Sequence, residues 1–169
     1  MALKTLLTSK KSAILKRWFD LILDTYPADS SNTYRRDLDR FTNPVAYTIS
    51  KEIGTLYDEL LHDMDSDKLH ASLDNIIRIR AVQDFPPSQA ISFVLCLKKA
   101  AREELKTEIR ESNLFTDYLK FESNIDDLAF LAFDIHMTCR EKIHEIKVNE
   151  IKAERGMLIQ LLERTSGTQ

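Results

Sequence analysis

The placement of proline constrains this fold more than any other feature of the chain. All four prolines lie between positions 27 and 87, and none occurs from there to the C-terminus. Proline removes a backbone donor and clashes with the preceding helical turn, so its absence leaves the C-terminal half free to form long helix. Glycine occurs only three times in 169 residues. Apolar residues recur at helical spacing, and strand-like alternation is nearly missing. The expected class is all-α, with about five to six helices in a single domain over 1–169.

The first helix is expected from about Lys10 to Tyr26, with Ile14, Leu15, Trp18, Phe19, Ile22 and Leu23 on one side. Pro27 ends it, and residues 27–42 read as a polar loop or short turn. The second helix has a sharp start. Asn43 can cap its free backbone donors, and Pro44 fits the first helical position because no partner is needed for its missing N–H. Gly54 inside this helix reads equally well as a close approach of another helix and as drift. A third helix is expected over 66–84, capped by Asp65-Ser66 and broken by Pro86-Pro87. A fourth should cover 88–112, followed by a short one over 114–121.

The last helix is expected over 124–165, starting near Ser123-Asn124 with Asp126 and Asp127 opposing the positive end of its dipole. At 1.5 Å per residue it would be ~60 Å long. A body of ~130 residues has a diameter of only ~35 Å, so the helix should overhang it. Its apolar residues Ile143, Ile146, Val148, Ile151, Met157, Leu158, Leu161 and Leu162 then need cover, since isolated helices are marginal. Two heptad-like stripes share the overhang. One contains Cys139, Ile143, Ile146, Glu150, Ala153 and Met157; the other contains His144, Val148, Ile151, Arg155, Leu158 and Leu162. Each stripe carries a charged residue at a seam position, which weakens it as a coiled coil. Folding back on its own domain would cover them, but self-association is the preferred reading.

Composition narrows the function by exclusion. The net charge of −3 lacks the basic excess of a nucleic-acid binder. No apolar run approaches the ~20 residues that cross a bilayer. The N-terminus lacks a signal-peptide pattern, so a cytoplasmic location is expected. Cys96 and Cys139 read as reduced thiols within helices.

Catalytic and cofactor patterns are missing. There is no Gly-rich phosphate loop, no paired Cys-x-x-Cys and no His-Glu-x-x-His. His136 and Cys139 could share a helix face, but His144 lies ~12 Å further along, too far for one metal. Adjacent carboxylates such as Glu103-Glu104 diverge on a helix. No catalytic residue, metal or cofactor is expected.

Arg80 extends the apolar stripe of Leu69, Leu73, Ile76 and Ile77. On a buried face it needs a carboxylate or several carbonyls, and Asp39 and Asp84 are candidates. It reads first as an internal clamp for the loop around Arg40 and Asn43. The sharper reading is a polar pocket or docking patch of Arg40, Asn43, Arg80 and Gln83.

Several fragments resemble the N-terminal domain of the RsbRD-type proteins, co-antagonists of the RsbT kinase in bacterial stress signalling. They are Trp18 through Pro27, Asp39-Arg-Phe-Thr-Asn-Pro44, Arg80-Ala-Val-Gln-Asp-Phe-Pro-Pro-Ser-Gln-Ala90 and Phe133 through Lys152. The resemblance implies a haem-free, globin-like, dimeric sensory domain whose C-terminal helix leads into a STAS output domain. This chain stops at Gln169, so it is expected to stand alone, without the kinase-binding and phosphorylated elements.

The expected function is therefore non-enzymatic and regulatory. The chain should form a homodimer and bind an unknown partner protein or small signal, with no nucleic acid and no membrane insertion. The rival is a haem- or metal-carrying helical protein using His70, His136 or Cys139, and an absorption spectrum separates the two.

Overall fold

The computed structural model describes residues 2–62, 64–83, 85–111 and 114–166. Among them the chain forms seven helices and no strand: α1 (Leu3–Ser9), α2 (Lys11–Leu23), α3 (Ala28–Arg36), α4 (Pro44–Leu61), α5 (Ser66–Val82), α6 (Pro87–Glu111) and α7 (Phe115–Ser166). The all-α expectation holds. The chain divides into two units, Met1–His136 and Met137–Gln169.

In the first unit, α4 packs on α5, α2 packs on α6, and α2 also meets α4. The core is built from Trp18, Ile22, Leu56, Tyr57, Leu73, Ile77, Phe93 and Leu97, all fully buried. Two long-range hydrogen bonds fix its layers. Trp18 Nε1 donates to Phe93 O at 2.6 Å. Tyr57 Oη donates to Leu7 O at 2.9 Å, tying α4 to α1. Burial removes a polar group from water, so each of these partners is needed. Phe93 of α6 thus supplies both a core side chain and the acceptor for Trp18 of α2.

Four boundaries differ from the sequence reading, each for a local reason. A further helix, α1, precedes the expected first one, which runs unbroken as α2. Leu3, Leu6 and Leu7 are buried in α1, and Thr8 and Ser9 turn their hydroxyls onto Lys4 O and Leu6 O before the break at Lys10. Part of the supposed 27–42 loop is α3. It buries only Ser31, but Asp29 in its first turn and Arg35 and Arg36 in its last complement the dipole. Arg35 also ties it to Asp20 of α2 and to Asp24, the residue that caps α2. The expected short helix over 114–121 and the last helix are continuous. Tyr118, Phe121, Glu122, Ile125, Leu128 and Ala129 form one buried stripe across Ser123-Asn124. Packing therefore outweighs the weak helix propensity of those two residues. The third helix ends at Val82, and its expected final residue, Asp84, lies outside the described residues.

The start at Pro44 stands. Ala46 N donates to Asn43 Oδ1 at 3.2 Å, with Pro44 at the first helical position. A Cβ added at Gly54 meets nothing within 4 Å, so no helix approaches closely there. Gly54→Ala should therefore stabilise the protein by up to ~1 kcal/mol in a urea melt. A loss would mean that the backbone needs glycine.

Three buried tyrosines set the alkaline limit of this core. Burial pushes the hydroxyls of Tyr26, Tyr57 and Tyr118 above their ordinary value of 10.0. The folded state favours the protonated form, so their contribution is complete below that pH and falls as pH rises above it. Tyrosinate absorbance from these three of the five tyrosines should therefore appear together with loss of helix. Ionisation of more than two of the five tyrosines within an intact helical fold would contradict this account.

Candidate functional site

Arg80 closes the C-terminal end of α5 and is fully buried. Its Nε donates to Ala90 O at 3.1 Å, and its Nη2 donates to Gln89 O at 2.8 Å and Thr25 Oγ1 at 3.1 Å. The guanidinium lies 4.2 Å from the Phe85 ring centroid and 5.2 Å from that of Tyr26. Carbonyl dipoles and ring faces thus replace water around the charge. Burial pulls its pKa below the ordinary arginine range. Nη1 makes no hydrogen bond among the described residues.

The four residues of the expected patch occupy different settings. Arg80 meets the start of α6 and the end of α2, not the Arg40 loop. Asn43 is buried and holds that loop itself, with Nδ2 donating to Asp37 O at 2.7 Å. Asp39, one of the two candidate partners of Arg80, instead accepts from Phe41 N at 2.8 Å and Thr42 N at 3.1 Å. Asp84, the other, lies outside the described residues. Arg40 and Gln83 are exposed, and Arg40 lines a polar pocket with Tyr47, Lys51, Glu52 and Asn75.

Among the expected dimer residues, Ile146, Ile151, Met157, Leu158, Leu161 and Leu162 are exposed, Ile151 by 64% and Leu162 by 65%. Ile143 and Val148 are half-buried. Neighbouring residues of this segment are charged: Lys142, Glu145, Lys147 and Glu150 alternate in sign. The sequence reading missed further exposed apolar residues of α7, Phe130 and Phe133 among them. Phe130 is 71% exposed and Phe133 43%. They lie three apart, on one face of the helix. That spacing was the available signal.

His136 is fully buried, whereas His70 and His144 are exposed, and Cys96 and Cys139 are half-buried thiols. Among the described residues, no three His, Cys, Asp or Glu side chains gather as a metal site, and no helix is long and apolar enough to cross a membrane.

Comparison with known proteins supplies a family. The family model described as the RsbT co-antagonist protein rsbRD N-terminal domain matches residues 12–150. An uncharacterized protein of Archaeoglobus fulgidus is 26% identical over 157 residues, covering 92% of this chain and 94% of its own length. No solved structure matches.

Proposed function

This chain belongs to the RsbT co-antagonist protein rsbRD N-terminal domain family, and from that premise we propose that it is a non-enzymatic, cytoplasmic regulatory protein. It works as a homodimer joined through the C-terminal part of α7, and it answers a signal by engaging a partner protein. The family is one of signalling regulators, which supports the regulatory half of this reading. The observation that carries the dimer is the exposed apolar series Ile146, Ile151, Met157, Leu158, Leu161 and Leu162. Soluble monomers rarely expose contiguous apolar patches beyond a few hundred Å².

In a homodimer the two copies bring the same stripes together. Glu150 and Arg155 interrupt different stripes, so each seam carries charge of one sign only and neither charge is neutralised within its own seam. Weakness at those positions suits a helix whose register changes when the attached body binds a signal. Co-expression tests the pairing. An untagged copy should co-purify with a tagged one, and the same experiment with Ile146→Glu plus Ile151→Glu in both copies should give none. Equal recovery from the variant would overturn the assignment of the interface to this segment.

A further inference from the structure

A second feature, within the Met1–His136 unit, lies between the C-terminal part of α6 and the first turns of α7. It is a cavity of about 760 Å³. Small-molecule pockets occupy ~300–1,000 Å³, so its size is that of a ligand site. Its apolar lining is Ile109, Phe115, Tyr118 and Leu119, and its cationic lining is Arg102, Lys106 and Arg110.

The charges are not equally available. Arg102 is spent on Glu122, through bonds of 2.7 and 3.0 Å that hold the Glu122 carboxyl below its ordinary range. Glu103, also in the lining, pairs with Arg17. Lys106 and Arg110 make no ion pair among the described residues. They stand four apart on α6, where like charges repel. An anion between them would turn that repulsion into attraction. Phe115 and Leu119 are likewise four apart on α7, exposed by 59% and 48%. Two such residues are far too few for a protein interface, which engages ~20–30 residues a side. They suffice for one alkyl chain.

We propose that this cavity binds a single-chain amphiphile with an anionic head, a fatty-acid carboxylate, its tail on Phe115 and Leu119 and its head between Lys106 and Arg110. Arginine's planar fork matches a carboxylate, and lysine adds a point charge. The proposal names a class of signal for the regulatory reading above and takes its physiological meaning from it; the binding itself stands on the cavity.

Calorimetry on the full chain tests it, with dodecanoate, dodecyl maltoside and dodecyltrimethylammonium each below its micelle threshold. Dodecanoate should bind saturably, one per chain, and at least roughly ten-fold more tightly than the neutral maltoside, a difference of about 1.4 kcal/mol. The cationic amphiphile should bind worst. Lys106→Glu with Arg110→Glu should erase the preference for dodecanoate. Leu119→Ser should weaken dodecanoate and maltoside alike. The three side chains replaced are exposed, and Trp18 fluorescence checks that each variant is folded. Equal affinity for the three amphiphiles, undiminished dodecanoate binding in the charge-reversed variant, or no saturable binding would each overturn the proposal. Light scattering on the same samples reads the dimer separately. A dimer that binds no dodecanoate removes the ligand and leaves the regulatory dimer standing. A monomer that binds it removes the dimer and leaves the site.

Discussion

Arg80→Ala should destabilise the folded protein by about 3 kcal/mol, a large share of the 5–15 kcal/mol that holds a typical domain together. The substitution removes three hydrogen bonds from a charged donor, to Gln89 O, Ala90 O and Thr25 Oγ1. It also empties the space between Phe85, Tyr26 and Phe93. A charged hydrogen bond contributes ~1.5–3 kcal/mol, but releasing a buried guanidinium from its desolvation penalty offsets part of the loss. Gln89 and Ala90 lie in the first turn of α6, where their carbonyls already face the helix's own amides. Removing Arg80 therefore does not orphan them, and the loss comes from weakened bonds and an unfilled cavity. Arg80→Met should consequently lose only ~1 kcal/mol, because it refills the space without burying a charge. Urea melts followed by circular dichroism measure both. A loss within ~1 kcal/mol for the alanine variant would mean that water reaches the site, and Arg80 would then belong to a wet binding surface rather than an internal clamp.

The largest effect on assembly is expected from α7. Ile146→Glu together with Ile151→Glu should raise the dimer dissociation constant by roughly a hundred-fold or more, about 2.7 kcal/mol. The two positions fall in different stripes, so either candidate seam gains charge. Each copy contributes both glutamates, and four carboxylates would have to lose water without partners. Both side chains are exposed in the single chain, at 58% and 64%, so the fold itself has no reason to suffer. Ending the chain at Lys142 should have the same effect on mass. The residues fully buried in the first unit all precede that point, so the truncated chain should keep its helical signal and its buried Trp18. Sedimentation gives the constant. A double variant that associates as tightly as the parent would place the interface elsewhere, with Phe130 and Phe133 the first residues to test.

Much of the fold was legible because burial imposes a period. The stripe through Val45, Ile49, Ile53, Leu56, Tyr57 and Leu60 marks α4, and its Asn43-Pro44 start appears where the capping chemistry requires it. α3 was not legible, because its sequence Ala-Asp-Ser-Ser-Asn-Thr-Tyr-Arg-Arg carries no apolar stripe. What forms it is the arrangement of charge along its axis and the reach of Arg35 to α2, and the second is a tertiary fact. The continuity of α7 was hidden for the opposite reason. Ser123 and Asn124 look like a cap, yet Tyr118 to Leu128 already carry the buried period through them.

The site divides the same way. That Arg80 would be buried could be read from its place in the stripe of Leu73, Ile76 and Ile77. Its partners could not, since spacing gives no reason to choose the carbonyls of Gln89 and Ala90. The α6–α7 cavity went unseen because Lys106 and Arg110 look like an ordinary charged face until Phe115 and Leu119 are placed beside them. The globin-like shape rests on the family resemblance alone.

The mass of the full-length chain in solution is the most direct test of the central claim. Light scattering across micromolar concentrations should give a value near twice 19.6 kDa. It should persist on dilution and fall to a single chain's mass in the Ile146→Glu, Ile151→Glu variant. A full-length protein that stays at 19.6 kDa at high micromolar concentration would contradict the regulatory dimer.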